Sequence, residues 1–245
     1  MVKINTELFP KVETRLEVRN ETDGAATLYL YGPIRQAFWF EDEEDDEIIS
    51  SRNVKRLLKK VKGKNLYVHI NSPGGDVFES IAIGNLLKQH DGQVHIIVDG
   101  LAGSGASVVA MAGDKVSMFE NSMMMIHKAW TFAIGNADEL RKVAADMDKI
   151  DQSLIASYKN RFVGSEDELK ALIADESWLT AEECLTFGFC DEIVKVETSD
   201  QEANKEEPKQ ASVKEHLFSK YRKKESKHMT IFDYFKGGMA NEHGK

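Results

Sequence analysis

The feature that most constrains this chain is a strand, a turn, a helix and a second strand in immediate succession. Leu66 to Ile70 reads as a strand, Asn71 to Gly75 (NSPGG) as a turn, Val77 to about Gln89 as a helix, and Val94 to Val98 as an apolar strand. Strands joined by a helical crossover of this length pair parallel, so the unit predicts a parallel sheet with helices packed on it. The pattern recurs. A glycine-rich turn at Asp99 to Gly105 leads into a small-residue helix ending near Ala112, followed by strands near Lys115 to Phe119 and Met123 to His127. An α/β core is the fold class this implies.

The flanks are read in the same way. Residues 1–25 are polar and mixed and are expected to form a mobile or partner-dependent arm, with the first strand at Ala26 to Ile34. The acidic run Glu41 to Glu47 (EDEEDDE) predicts a solvated loop, although a patch for a metal or a basic partner fits the same charges. Beyond Ser51, Val54, Leu57, Leu58 and Val61 recur at helical spacing, and Lys55, Arg56, Lys59, Lys60 and Lys62 form a basic opposite face. Asn136 to about Arg161 predicts a long helix whose stripe runs from Leu140 through Val143, Ala144, Met147, Ile150 and Leu154 to Tyr158. Shorter helices are expected at Ser165 to Ala174 and Ala181 to Phe187. The second has a capping box in Thr180 and Glu183 and a stop at Gly188, before a closing strand at Cys190 to Val196. The segmentation is thus an arm (1–25), a folded domain (26–196) and a charged, flexible tail (197–245). The tail is acidic over 197–207, basic over 209–228, and ends with Met229 to Phe235 (MTIFDYF), a candidate docking peptide.

Composition narrows the function. A net charge of −9 provides no global basic field, which argues against nucleic acid or an anionic membrane surface as the partner. Cys184 and Cys190 are too few for a disulfide scaffold and lack the pairing with histidines of a structural zinc site, so a reducing, cytoplasmic setting is expected. No apolar run approaches the ~20 residues of a membrane helix.

The chemistry concentrates around Ser104. In Asp99-Gly-Leu-Ala-Gly-Ser-Gly-Ala-Ser107 a serine stands among residues with almost no side chain at a strand-to-helix junction, open to approach and close to backbone amides. The segment half matches a phosphate loop, but Ala106 stands where that loop needs lysine. It fails as a hydrolase elbow because Ala102 and Ala106 flank the serine at two residues' distance. Small residues at a helix start also serve close packing alone, so other residues must decide. Gly75, after Asn71-Ser-Pro-Gly, can aim its N–H at an oxyanion. His127, ending Met123-Met-Met-Ile, can accept the proton of a serine hydroxyl. Asp175 and Glu176, before Trp178-Leu-Thr-Ala-Glu-Glu, supply a carboxylate able to fix an imidazole tautomer.

Taken together, residues 26–196 resemble the Clp protease proteolytic subunit family, in order and spacing of several separate motifs. The resemblance implies a ClpP/crotonase-like core of repeated ββα units with a projecting handle helix. It places the nucleophile at Ser104, the base at His127 and oxyanion amides at Gly75 and Gly105. An ungapped reading of WLTAEE puts the acid at Glu176, where the family usually has aspartate, with Asp175 the rival. Ser107 is the next candidate nucleophile. The activity implied is that of a serine endopeptidase without cofactor or metal.

The arm, the acidic insertion and the long tail depart from the housekeeping subunit. GDVFESIAIGNLL, VDGLAGSGASVVAMAGDKV and MMMIHKAW look more like the Clp-like head maturation proteases of tailed phages and prophages. That implies a homo-oligomeric ring, a heptamer or two stacked, cleaving scaffold or capsid proteins without ATP in the host cytoplasm. Three readings stand beside it: a housekeeping-type subunit served by an ATP-dependent unfoldase, an acyl-CoA enzyme of the same superfamily, and a catalytically weak ring or scaffold component. A serine and lysine pair of the signal-peptide-peptidase type fits less well, because His127 is in place.

Overall fold

A computed structural model describes residues 14–20, 22, 24–38, 41 and 47–195. Eight strands form one sheet. They are β1 (Arg15–Asn20), β2 (Ala25–Tyr31), β3 (Asn65–Ser72), β4 (Val94–Gly103), β5 (Lys115–Phe119), β6 (Met123–Ile126), β7 (Ser177–Thr180) and β8 (Glu192–Val194). The main path runs β1-β2-β3-β4-β5-β8, parallel except between β1 and β2, while β6 pairs with β4 and β7 with β6. Among the described residues there are six helices: α1 (Ser51–Lys60), α2 (Val77–Lys88), α3 (Gly105–Ala110), α4 (Ala137–Lys159), α5 (Glu166–Ala174) and α6 (Ala181–Phe187). The parallel α/β core read from the sequence is therefore the architecture found.

Strand β4 positions the site because it serves two partners. Its first half pairs with β5 through His95 to Val98, and its second half pairs with β6 through Leu101 to Gly103. Against β3 the register jumps from Ile70–Val98 to Ser72–Ala102, so extra β4 residues bulge at Asp99 to Leu101. The glycine-rich stretch expected to be a turn is mostly strand, which corrects that reading. Glycine weakens a strand but permits the bulge, and the side-chain oxygen of Asn71 occupies the space that a Cβ at Gly100 would need.

Local chemistry sets the helix starts. Ser50 caps α1 by accepting from Asn53 N, and Asp76 Oδ1 caps α2 by accepting from Phe78 N and Glu79 N at 2.8 and 2.9 Å. Thr180 and Glu183 form the expected capping box of α6, and Gly188 ends that helix at φ 79°. In α1, Val54, Leu57 and Leu58 are buried against the core, each stabilising the fold by about 1.5–3 kcal/mol.

Two further expectations change. Residues 15–20 of the anticipated arm form β1, hydrogen-bonded to β2. Leu16 is buried, while Arg15 and Arg19 pair with Glu17 on the other face, a charged alternation that hides a strand from a reader looking for apolar runs. Strand β7 was not anticipated, being four residues long beside a helix cap. The long helix is present, but of its expected apolar stripe only Leu154 and Tyr158 are buried, while Leu140 is 43% exposed. The C-terminal end of α4 is fastened by Tyr158 on Phe189, with ring centroids 5.9 Å apart, and by Arg161 donating to Asp191 and to Gly113 O. Residues 1–13, the middle of the acidic run (42–46) and everything after 195, including the tail and the MTIFDYF segment, lie outside the described residues. Among the described residues, no helix is long and apolar enough to cross a membrane.

Candidate active site

The second half of β4 delivers Ser104. Gly103 pairs with Met125 of β6, and Ser104 N donates to Met125 O at 2.8 Å. Alternation along β6 buries Met124 and Ile126, which turns Met125 and His127 toward Ser104. His127 Nε2 lies 2.7 Å from Ser104 Oγ, the distance at which the hydroxyl donates to a neutral imidazole. Ser104 has φ 49°, a left-handed conformation that costs a non-glycine residue about 1–3 kcal/mol and here turns the hydroxyl out of the strand end.

Gly75 and Gly105 meet beside the serine. A Cβ built on Gly105 would lie 3.5 Å from Gly75 N and would collide with Ser80 Oγ. Gly75, at φ 148°, has the Ile34 carbonyl where its own Cβ would be. The loop is stitched on that side: Ile34 N donates to Gly74 O and Asp76 N donates to Ile34 O, both at 2.8 Å. Among the described residues no acceptor takes the N–H of Gly75 or of Gly105. Both glycines line the cavity that Ser104 and His127 also line.

The carboxylate candidates separate. Antiparallel pairing of β6 with β7 ends at Ile126–Ser177, and one more residue in that register sets Glu176 opposite His127. Glu176 has φ 50° and lines the same cavity as Ser104 and His127. Asp175 is the C-cap of α5 and is not part of the cavity wall. Among the described residues, neither carboxylate hydrogen-bonds the imidazole.

The cavity measures about 880 Å³. Its wall is largely apolar, with Phe78, Met125, Trp130, Ile150 and Leu154 among its residues. Among the described residues, no group of three or more His, Cys, Asp or Glu side chains is placed to hold a metal ion. Cys184 and Cys190 are buried and unbridged, and burial pushes the Cys190 thiol up to about 12, so neither is a nucleophile in waiting.

Ser107, the rival nucleophile, is fully buried and is not part of the cavity wall. Its hydroxyl donates to Ser104 O and lies 2.7 Å from Tyr158 OH. Two residues of α4 adjoin the site without a signal in the sequence. Asp151 Oδ1 accepts from Ala129 N at 2.9 Å, just beyond His127, and Tyr158 reaches Ser107 across 51 positions. Only the packing of α4 brings them there; the helical spacing marked Tyr158 as apolar stripe and gave Asp151 no role.

Comparison with known proteins agrees with this arrangement. The model of the Clp protease family matches residues 39–197. Two relatives named as ATP-dependent Clp protease proteolytic subunits, from Bacteroides fragilis and Bacteroides thetaiotaomicron, are 31% and 30% identical to this chain over 134 residues. The matched stretch covers 54% of this chain and 65% and 61% of theirs, so the chain spans less than two thirds of the length of these relatives. Since the family's pattern extends over more than half of the sequence and takes in every strand and helix from α1 to β8, the chain belongs to the Clp protease family, a family of serine-type peptidases.

Proposed function

We propose that the protein is a serine endopeptidase in which Ser104 is the nucleophile and His127 the base. The observation that carries this reading is the 2.7 Å approach of Ser104 Oγ to His127 Nε2 beside two unengaged glycine amides. In the reaction, Ser104 Oγ attacks the scissile carbonyl carbon as its proton passes to His127 Nε2. The carbonyl oxygen, now an anion, is held by Gly75 N–H and Gly105 N–H. Collapse of the adduct expels the amine, which takes the proton from the imidazolium. Water then repeats the sequence on the acyl-enzyme, restoring Ser104. Glu176 is the acid proposed, because the β6–β7 register continued by one residue puts it opposite His127 and it lines the same cavity. This chemistry draws on no metal or cofactor.

The substrates proposed are proteins, namely scaffold or capsid chains during phage head maturation, cleaved without ATP by a homo-oligomeric ring. The motif resemblance supports this role, and exposed apolar side chains at Trp130, Phe132 and Ile134, at 79, 83 and 87%, support assembly. The relatives' own names favour a second reading, a subunit served by an ATP-dependent unfoldase.

Intact mass after treatment with a fluorophosphonate, a reagent selective for activated serines, tests the centre. Wild type is expected to gain one adduct, mapped to Ser104; Ser104→Ala none; and His127→Ala a label slowed by at least about 10²-fold. An adduct on another residue, or none on an assembled protein, overturns the assignment. Digestion of an unfolded protein without ATP, set against dependence on an added unfoldase, separates the two substrate readings.

A further inference from the structure

The peptide unit joining Ser104 to Gly105 carries both a carbonyl and a proposed oxyanion donor. A peptide is planar and trans, so the Ser104 C=O and the Gly105 N–H point in opposite directions, and whatever fixes one aims the other. The carbonyl is fixed unusually well. Ser107 N donates to it at 3.0 Å and Ser107 Oγ donates to it as well. The Ser107 proton is thereby used, so its oxygen must accept at its 2.7 Å contact with Tyr158 OH. One direction of donation satisfies every group: Tyr158 O–H to Ser107 Oγ, then Ser107 O–H to Ser104 O.

This relay is dry and rigid. Ser107 and Tyr158 are 0 and 1% exposed, and the tyrosine ring is held edge-to-face on Phe189. A buried hydroxyl without its partner is costly, so once the tyrosine is seated the serine has little freedom to turn elsewhere. The unit being held needs such support, because Ser104 at φ 49° is in a conformation its own side chain disfavours.

We infer that Ser107 and Tyr158 are positioning residues for the oxyanion site: through hydrogen bonds in series they lock the Ser104–Gly105 peptide so that Gly105 N–H faces the cavity. The inference rests on the assignment of Ser104 as nucleophile. It gives α4, whose Ile150, Leu154 and Tyr158 line the cavity, a part in catalysis exercised through Ser107 rather than by contact with the reacting atoms.

The test compares Tyr158→Phe, Ser107→Ala and the double variant for fluorophosphonate labelling at Ser104, separating the limiting rate constant from the half-saturating concentration, with melting temperature measured alongside. Each single variant is expected to lower the limiting rate constant about tenfold, the equivalent of one lost hydrogen bond, with half-saturation unchanged. Because the bonds act in series, the double variant falls no further than the worse single variant. Tyr158→Phe keeps the ring on Phe189 and Ser107→Ala removes one atom, so either alone carries the test if the other misfolds. Wild-type labelling with unchanged rate constants in the variants overturns the inference, even if melting temperature drops. A wild type that takes no label at Ser104 overturns the proposed nucleophile and this inference with it.

Discussion

At Gly75 two constraints coincide: a backbone conformation that L side chains rarely adopt, and a carbonyl, that of Ile34, in the place a Cβ would take. Gly75→Ala must move the loop, and with it the amide aimed at the oxyanion. Loss of one such donor lowers turnover by about 10²- to 10³-fold, and peptide hydrolysis by the purified variant is expected to fall at least that far. Hydrolysis within a few-fold of wild type would remove Gly75 from the oxyanion site. That this residue, Ser104 and His127 are candidates for one site was legible in sequence because each signal is local: a glycine after a strand, a serine among small neighbours, a histidine at a strand end. Glu176 against Asp175 was not, since the choice depends on how β7 registers against β6, a strand 50 residues earlier. Tyr158 and Asp151 were hidden for the same reason.

Among the elements, α6 illustrates how a local signal carries through to the fold. Thr180 Oγ1 accepts from Glu183 N, and Glu183 Oε2 accepts from Thr180 N at 3.0 Å, which ends β7 and starts the helix at one residue. Thr180→Ala removes the cap and is expected to cost about 1 kcal/mol. In a domain of this size that lowers the melting temperature by about 2–4 °C, readable by calorimetry, while labelling at Ser104 stays at the wild-type rate. Elements with caps and helical periodicity were read correctly, α1, α2, α5 and α6 among them. Elements whose identity depends on a partner were misread. β1 is recognised only beside β2, and the glycine-rich end of β4 is strand because β3 and β6 pair with it. In α4 an apolar period is present, but the core reaches only its C-terminal part.

For the molecule as a whole, the exposed Trp130, Phe132 and Ile134 lead directly into the exposed first half of α4. Large apolar side chains left this exposed fit the assembly proposed above. Mass photometry is expected to show closed assemblies at micromolar concentration, and Phe132→Asp is expected to shift them toward the 27.6 kDa species. A wild type found only as monomer would sink the ring proposal while leaving the labelling result to decide the chemistry.

The double bridge at Ile34 has a different kind of consequence. Ile34 pairs with Gly75 on one side and Ile49 on the other, and Arg35 N donates to Ile49 O at 3.0 Å. The two stems of the acidic insertion are thus pinned to each other at the same point where they brace Gly75. Doubling the length of a connection between pinned ends costs only about 0.6 kcal/mol of closure entropy. The insertion is therefore a site of evolutionary licence: its sequence and length can drift, or be exchanged for another recognition module, without disturbing the bridge between Ile34 and Gly75.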